Sequence, residues 1–92
     1  MTLKKYVIER DIAGIEQATA EALKGAAATS NAALAQLGER AKWLESFVVK
    51  DKTYCIYLAE DEDAIREHAR LSGFPASRIT EVAAAIGPET AG

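Results

Sequence analysis

Residues 41–59, AKWLESFVVKDKTYCIYLA, contain two apolar segments separated by the polar residues 50–52. β-Branched and aromatic side chains are frequent in both segments, which is typical of β-strands. Because the polar connection is short, the two strands, 41–49 and 53–59, are expected to pair as an antiparallel hairpin. The rest of the fold is predicted outward from this hairpin.

The chain before the hairpin predicts one strand and one helix. Residues 3–10 are rich in β-formers, and apolar residues recur at spacings of three and four between positions 23 and 37, which marks one helical face. Thr19 is placed to cap the start of this helix, and Gly38 stands where a left-handed residue is expected to end it.

The chain after the hairpin predicts a second helix. The acidic run 60–63 suits the positive end of a helix dipole, with Asp61 as the expected N-cap. This helix should end near Gly73, before Pro75.

The final segment, 78–86, fits the period of a helix and the period of a strand equally well. If it is a strand, the order is βαββαβ, which is the split-βαβ or ferredoxin-like α+β arrangement. We then expect a four-stranded antiparallel sheet with two helices on one face, within a single domain that spans 1–92.

Two helices on one face leave the other face of such a sheet bare, and alternate residues of a strand point to opposite faces. One assignment places under the helices Tyr6, Ile8, Ile56 and Leu58. It leaves on the bare face Val7, Trp43, Phe47, Cys55 and Tyr57. Whichever face is bare, it is too apolar for a solvated surface. The sequence therefore predicts a homodimer packed through its sheets.

Composition excludes several classes of partner and site. The 92 residues carry a net charge of −3, which argues against nucleic acid. No apolar run has the length of a membrane helix and the N-terminus has no secretory core, so a cytoplasmic protein is expected. One Cys and one His exclude a disulfide framework and a closed zinc finger within one chain.

Two single residues could carry chemistry. His68 lies at the edge of the apolar face of the second helix, as a boundary histidine, a metal ligand or a general base. Cys55 lies in the predicted central strand, as a small buried side chain or a nucleophile. A Cys–His enzyme requires the fold to bring both to one face, which the pattern does not demand.

Carboxylates and aromatic side chains on the predicted sheet are further candidates. Glu9 and Glu45 are expected on the face of Cys55, where a carboxylate is either solvated at a strand end or paired with a cation. The aromatic side chains of Trp43, Phe47 and Tyr57 suit a core or an interface, or alternatively a ligand cage.

Short motifs along the chain carry a family resemblance. They are YVIER (6–10), WLESFV (43–48), DKTYCIYLA (51–59), IREHA (65–69), GFPA (73–76) and ITEV (79–82). Together they resemble a family of small bacterial proteins catalogued as domain of unknown function 4242. The resemblance implies a ferredoxin-like fold, a dimer in the manner of dimeric α+β barrels, and nickel binding. The motif positions that it makes relevant are Glu9, Trp43, Ser46, Cys55, Tyr57 and His68.

The nickel interpretation can be tested against the residue types. Imidazole suits nickel, and carboxylate with water can complete its shell. One chain offers too few such ligands, whereas a two-fold axis doubles each of them. We therefore expect a shared, non-catalytic site for binding, storage or sensing, with metal candidates His68, Cys55, Glu9 and Glu45.

The alternative is a dimeric α+β barrel, an enzyme or a binding module, that holds a small organic ligand between sheet and helices. An apolar cavity of roughly a few hundred Å³ favours this alternative, and a shallow surface rimmed by carboxylates favours the metal. Pocket or interface positions in either case are Trp43, Ser46, Phe47 and Tyr57.

Overall fold

The computed structural model describes residues 2–92 and contains the predicted order of elements. The elements are β1 (Lys4–Asp11), α1 (Ala20–Leu37), β2 (Ala41–Val49), β3 (Lys52–Ala59), α2 (Glu62–Ser72) and β4 (Arg78–Glu81). Short 3₁₀ turns occupy Ile15–Gln17, Gly38–Arg40 and Pro88–Ala91. The ambiguous segment 78–86 therefore begins as a four-residue strand and has no regular structure after Glu81.

The four strands form one antiparallel sheet in the order β2-β3-β1-β4. Side chains of α1 and α2 join one face of this sheet in a common core, with Leu37 from α1 and Ile65 from α2. The ferredoxin-like α+β fold predicted from the sequence is thus confirmed.

The helices begin and end where capping chemistry predicts. Thr19 Oγ1 accepts a hydrogen bond from the N–H of Ala22 at 3.1 Å, and Asp61 Oδ1 accepts one from Ala64 at 2.9 Å. Each of these bonds satisfies one of the free N–H groups at a helix start. Gly73 ends α2 in the left-handed region at φ 79°.

The register between β1 and β3 corrects the expected assignment of sheet faces. Tyr6 lies opposite Tyr57 and Ile8 lies opposite Cys55, so all four side chains share the helix-covered face. Ile56 and Leu58, expected under the helices, lie on the other face, because a shift of one residue moves a whole strand between faces. Alternation within β1 and within β3 was predicted correctly, but alternation along one strand does not specify which face it shares with its neighbours.

A β-bulge in β2 produces a second correction. The pairing with β3 shifts between Trp43 and Glu45, so Leu44 is an extra residue in the ladder. Trp43 consequently shares the helix-covered face with Ser46, whereas strict alternation had grouped it with Glu45 and Phe47. The bulge turns the indole of Trp43 toward the core side of the sheet.

The second face of the sheet, here named the open face, is not covered by either helix. It is formed by Val7, Phe47, Val49, Tyr54, Ile56 and Leu58. Phe47 is 51% exposed and Val49 is 39% exposed. The expectation of one bare apolar face is therefore met, although its residues differ from the predicted set.

The longest helix of the fold is α1, with 18 residues. No helix within residues 2–92 combines the length and the hydropathy needed to cross a membrane. The cytoplasmic location stays a prediction.

Candidate ligand cavity

A cavity of about 380 Å³ lies between α1 and the helix-covered face of the sheet. Ala26 and Ala27 of α1 and Trp43 of β2 are among its lining residues, and the short alanine side chains leave space between helix and sheet. Its apolar wall also contains Ile12, Ile15, Leu23, Val48 and Phe74. The cavity is thus an apolar space with a few polar groups in its wall.

Arg10 of β1 supplies the only charged side chain that lines this cavity within residues 2–92. The residue is 3% exposed. Its Nη1 atom donates to the carbonyl oxygen of Pro75 at 2.9 Å and to that of Phe74 at 3.4 Å. No Asp or Glu among the described residues forms an ion pair with it. Arg10 is therefore a buried cation without an anionic partner in the fold.

His68 of α2 is fully buried and contacts the guanidinium of Arg10. Its Nδ1 atom lies 3.5 Å from Nη2 of Arg10, and its Nε2 atom lies 3.1 Å from Oγ of Ser30. Because a guanidinium only donates hydrogen bonds, Nδ1 must accept, which assigns the proton of the neutral ring to Nε2. His68 therefore donates from Nε2 and accepts at Nδ1.

Ser30 of α1 and Tyr57 of β3 complete the cluster, which we name the polar network (Arg10, Ser30, Tyr57 and His68). The two hydroxyl oxygens are 3.0 Å apart. Burial raises the pKa of the Tyr57 phenol above its usual 10.0. The network joins β1, β3, α1 and α2, so it forms only when the whole domain is folded.

The pKa of His68 is lowered from 6.5 to about 4, first by burial and second by the charge of Arg10. The imidazole is consequently neutral at pH 7. Both ring nitrogens already have partners within the fold. This geometry makes His68 a residue that positions Arg10 and Ser30, rather than a free metal ligand or a free base.

Cys55 of β3 is buried and lines the cavity. Its Sγ atom lies 3.5 Å from Oγ1 of Thr53, and no hydrogen bond joins it to His68 in the described chain. The arrangement therefore lacks the nucleophile–base contact that a Cys–His enzyme requires.

The two carboxylates proposed as metal ligands lie on the opposite side of the sheet. Glu9 is ion-paired with Lys52 at 3.2 Å, and Glu45 is exposed beside Ile56 on the open face. The expectation that both share a face with Cys55 is wrong, because the register of β1 and the bulge of β2 place them across the sheet.

The donor set of one chain does not fit a nickel ion. His68 and Cys55 lie on the helix side of the sheet, and the two glutamates lie on the other. Across residues 2–92, no group of three His, Cys, Asp or Glu side chains is placed to hold a metal. Carboxylate, imidazole and thiolate are suitable donors for nickel, but here they are separated by the sheet.

Of the four predicted pocket or interface residues, three line the cavity. Trp43 Nε1 donates to Oγ of Ser46 at 2.9 Å. The indole of Trp43 stacks on the ring of Tyr57 with a 6.5 Å centroid separation and an 18° angle between the planes. Phe47 lies apart from them, on the open face.

Sequence reasoning missed Arg10 and Ser30 as members of the site. A signal for each was present, because Arg10 follows Tyr6 and Ile8 in strand alternation, and Ser30 interrupts the apolar face of α1. A polar residue in phase with a buried face needs a partner inside the fold. In this protein, each of them finds that partner in His68.

The fold and the cavity define a small ferredoxin-like α+β protein with a ligand-sized space between helix and sheet. A family model described as nickel responsive protein SCO4226-like matches residues 6–82, and the chain belongs to this family. The tie to nickel implied by the resemblance is thereby supported, while the label domain of unknown function 4242 is not confirmed.

The chain is also similar to the crystal structure of SCO4226 from Streptomyces coelicolor A3(2). The TM-score is 0.74 at 17% sequence identity, over 89% of this chain and 99% of that chain. At this identity the likeness shows the fold alone. None of the curated proteins matches the chain.

Proposed function

We propose that this member of a nickel-responsive family is a non-catalytic protein that binds a small, largely apolar molecule in the helix–sheet cavity. The observation that carries the proposal is the cavity itself, with its volume of about 380 Å³ and its apolar walls. Small-molecule sites are typically concave, about 300–1,000 Å³ in volume, and apolar apart from a few oriented polar groups.

The polar network supports this proposal, because it gives the cavity a distinct polar end. Arg10, Ser30 and Tyr57 line the cavity directly. His68 does not line it, but forms hydrogen bonds with Arg10 and Ser30 and so fixes their positions. Polar groups that are fixed in this way orient a ligand without rearranging when it binds.

The test is a titration with 2-naphthamide, a neutral bicyclic probe, followed by the indole N–H resonance of Trp43. Since the chain has one Trp, this resonance needs no assignment. A binding free energy of about −0.3 to −0.5 kcal/mol per non-hydrogen atom of the probe is expected for a ligand of this size. It corresponds to a Kd between roughly 10 µM and 1 mM.

Ala27→Phe fills the cavity from α1 and should weaken binding at least about 10-fold. Ala28→Phe is the matched control, since Ala28 lies next to Ala27 but is exposed and outside the cavity wall. Trp43 resonances that stay unchanged up to about 1 mM with this probe and with its acidic analogues, 2-naphthoate and 2-naphthyl phosphate, or equal weakening by both variants, would contradict the proposal.

Nickel binding for storage or sensing is the second candidate, and the family description favours it. Since the donors of one chain do not fit the ion, such a site would be shared by two copies of the chain. Glu9 and Glu45 both lie on the open face, where a two-fold axis would double them. A homodimer packed through this face is therefore part of the second candidate.

Titration calorimetry of tag-free protein with Ni²⁺ tests this candidate. Glu45→Gln should reduce the heat of binding, while Glu39→Gln, also exposed but outside the sheet, should leave it unchanged. Cys55→Ala should have little effect, because Cys55 lies on the other side of the sheet. Heat no greater than the buffer blank rules the second candidate out.

A further inference from the structure

We infer that the ligand of the cavity is a small organic acid, whose carboxylate is held by Arg10 and whose apolar part lies against Ala26 and Ala27 of α1. This inference rests on the proposed function of the cavity. It adds the chemical class of the ligand, which the fold and the family description do not specify.

The first argument is the charge of Arg10. The side chain is withdrawn from water at 3% exposure, and its hydrogen-bond partners in the protein are two carbonyl oxygens and one imidazole nitrogen. The neutral ring of Tyr57 lies 5.9 Å from its guanidinium carbon. Neutral acceptors satisfy hydrogen bonds but leave the charge uncompensated, and a buried cation without an anion is unfavourable. A ligand carboxylate in the cavity would supply the missing charge.

The second argument is an excess of hydrogen-bond donors in the polar network. With the proton of His68 on Nε2, the donors include that N–H and the hydroxyl groups of Ser30 and Tyr57. One hydrogen bond joins the two hydroxyl groups, so whichever of them donates, the hydrogen of the other lacks an acceptor within the network. An acceptor-only group such as a carboxylate is complementary to this arrangement.

The third argument distinguishes a carboxylate from a phosphate. Arg10 is the only Lys or Arg in the cavity wall of the described chain, and no Asp or Glu lines it. One guanidinium balances one negative charge and matches the two oxygens of a carboxylate. A dianionic phosphate would remain half uncompensated inside apolar walls.

The test compares three naphthalene derivatives on the unmodified protein: 2-naphthoate, 2-naphthamide and 2-naphthyl phosphate. The first two have nearly the same shape and differ in charge. Naphthoate should bind about 10- to 100-fold more tightly than the amide, as for a charge-assisted hydrogen bond replacing a neutral one. It should also bind more tightly than the phosphate.

His68 provides a second readout, because it is the only histidine of the chain and lies against Arg10 from β1 and Tyr57 from β3. Bound naphthoate should offset the charge of Arg10 and raise the pKa of His68 from about 4, followed by NMR of the ring carbons. Bound naphthamide should leave this pKa unchanged.

Arg10→Gln should remove the preference for the acid, so that naphthoate binds no more tightly than naphthamide. Because Arg10 is buried, the Arg10→Gln variant is expected to lose stability. If the variant does not fold, the comparison of the three ligands on the unmodified protein tests the inference alone. Equal affinity for acid and amide, or tighter binding of the phosphate, overturns the inference alone. Binding of none of the three overturns the proposed function with it.

Discussion

His68 is the residue on which the polar network depends. It contacts Arg10 through one ring nitrogen and Ser30 through the other, and so links β1 to α1 from a position on α2. Its side chain is fully buried and its neutral form is the one that the fold holds. Because His68 is buried with both ring nitrogens occupied, it is not an open metal ligand. The same burial disfavours its protonated form, so the stability of the fold depends on pH.

The pH dependence of stability follows from the lowered pKa of His68. Between pH 6.5 and about 4, the unfolded chain binds a proton at this histidine and the folded chain does not, so stability falls as pH falls. About 2 kcal/mol should be lost between pH 7.5 and pH 5. Urea unfolding at a series of pH values measures this loss.

The control is His68→Gln, which removes the only histidine of the chain. This variant should be less stable at pH 7.5, but its stability should change little between pH 7.5 and 5. A parallel decline of both proteins over this range would show that other groups are responsible.

At the scale of elements, α2 begins with a run of acidic residues of which one, Asp61, caps the helix. Asp61 accepts a hydrogen bond from the N–H of Ala64, whereas the side chains of Glu62 and Asp63 lie within the first turn. Negative charge near a helix start is favourable in general, but the capping bond needs the residue at the N-cap.

Asp61→Ala should therefore lower the free energy of unfolding by about 1 kcal/mol, measured by urea denaturation at pH 7.5. Asp63→Ala makes the same change of charge two residues later and should cost only a few tenths of a kcal/mol. Equal losses in the two variants would mean that charge, and not the hydrogen bond of the cap, stabilises this end of α2.

At the scale of the whole molecule, the sheet separates two surfaces of different character. The helix-covered face contains the cavity and the polar network, and the open face presents apolar side chains to solvent in the isolated chain. An apolar face of this kind in a small domain favours self-association, which would bury about 800 Å² per partner in a stable interface.

Phe47→Lys tests association through the open face. Phe47 is 51% exposed there, so a lysine should leave the fold intact and convert a dimer to a monomer. Light scattering after size-exclusion chromatography at micromolar concentration measures the mass. Ile86→Lys, at a residue that is 83% exposed and outside the sheet, is the control. A monomer in the unmodified protein would rule out the dimer.

Local patterns in the sequence were sufficient for most of the fold. Thr19, Asp61 and Gly73 mark helix ends because capping depends on residues close in sequence. The hairpin of β2 and β3 follows from two apolar segments and a short polar turn. In segment 78–86, the apolar residues fit the period of a helix and the period of a strand equally well. Only pairing with β1 makes residues 78–81 a strand.

The candidate site was predicted only in part, since its members come together by register and packing. Trp43, Ser46 and Tyr57 were recognised, but a bulge and a register placed them beside Arg10 and Ser30, which were not. Glu9 and Glu45 were assigned to the wrong face for the same reason.

The sequence by itself thus determined the first five elements, from β1 to α2, their order and the presence of one bare apolar face, because these depend on short-range periodicity and capping. The tertiary structure decided which face is bare, where the cavity lies and that His68 contacts Arg10, 58 residues away in the chain. The physical reason is that pairing between strands and packing of helices on a sheet are interactions across long sequence separations, and local periodicity carries no information about them.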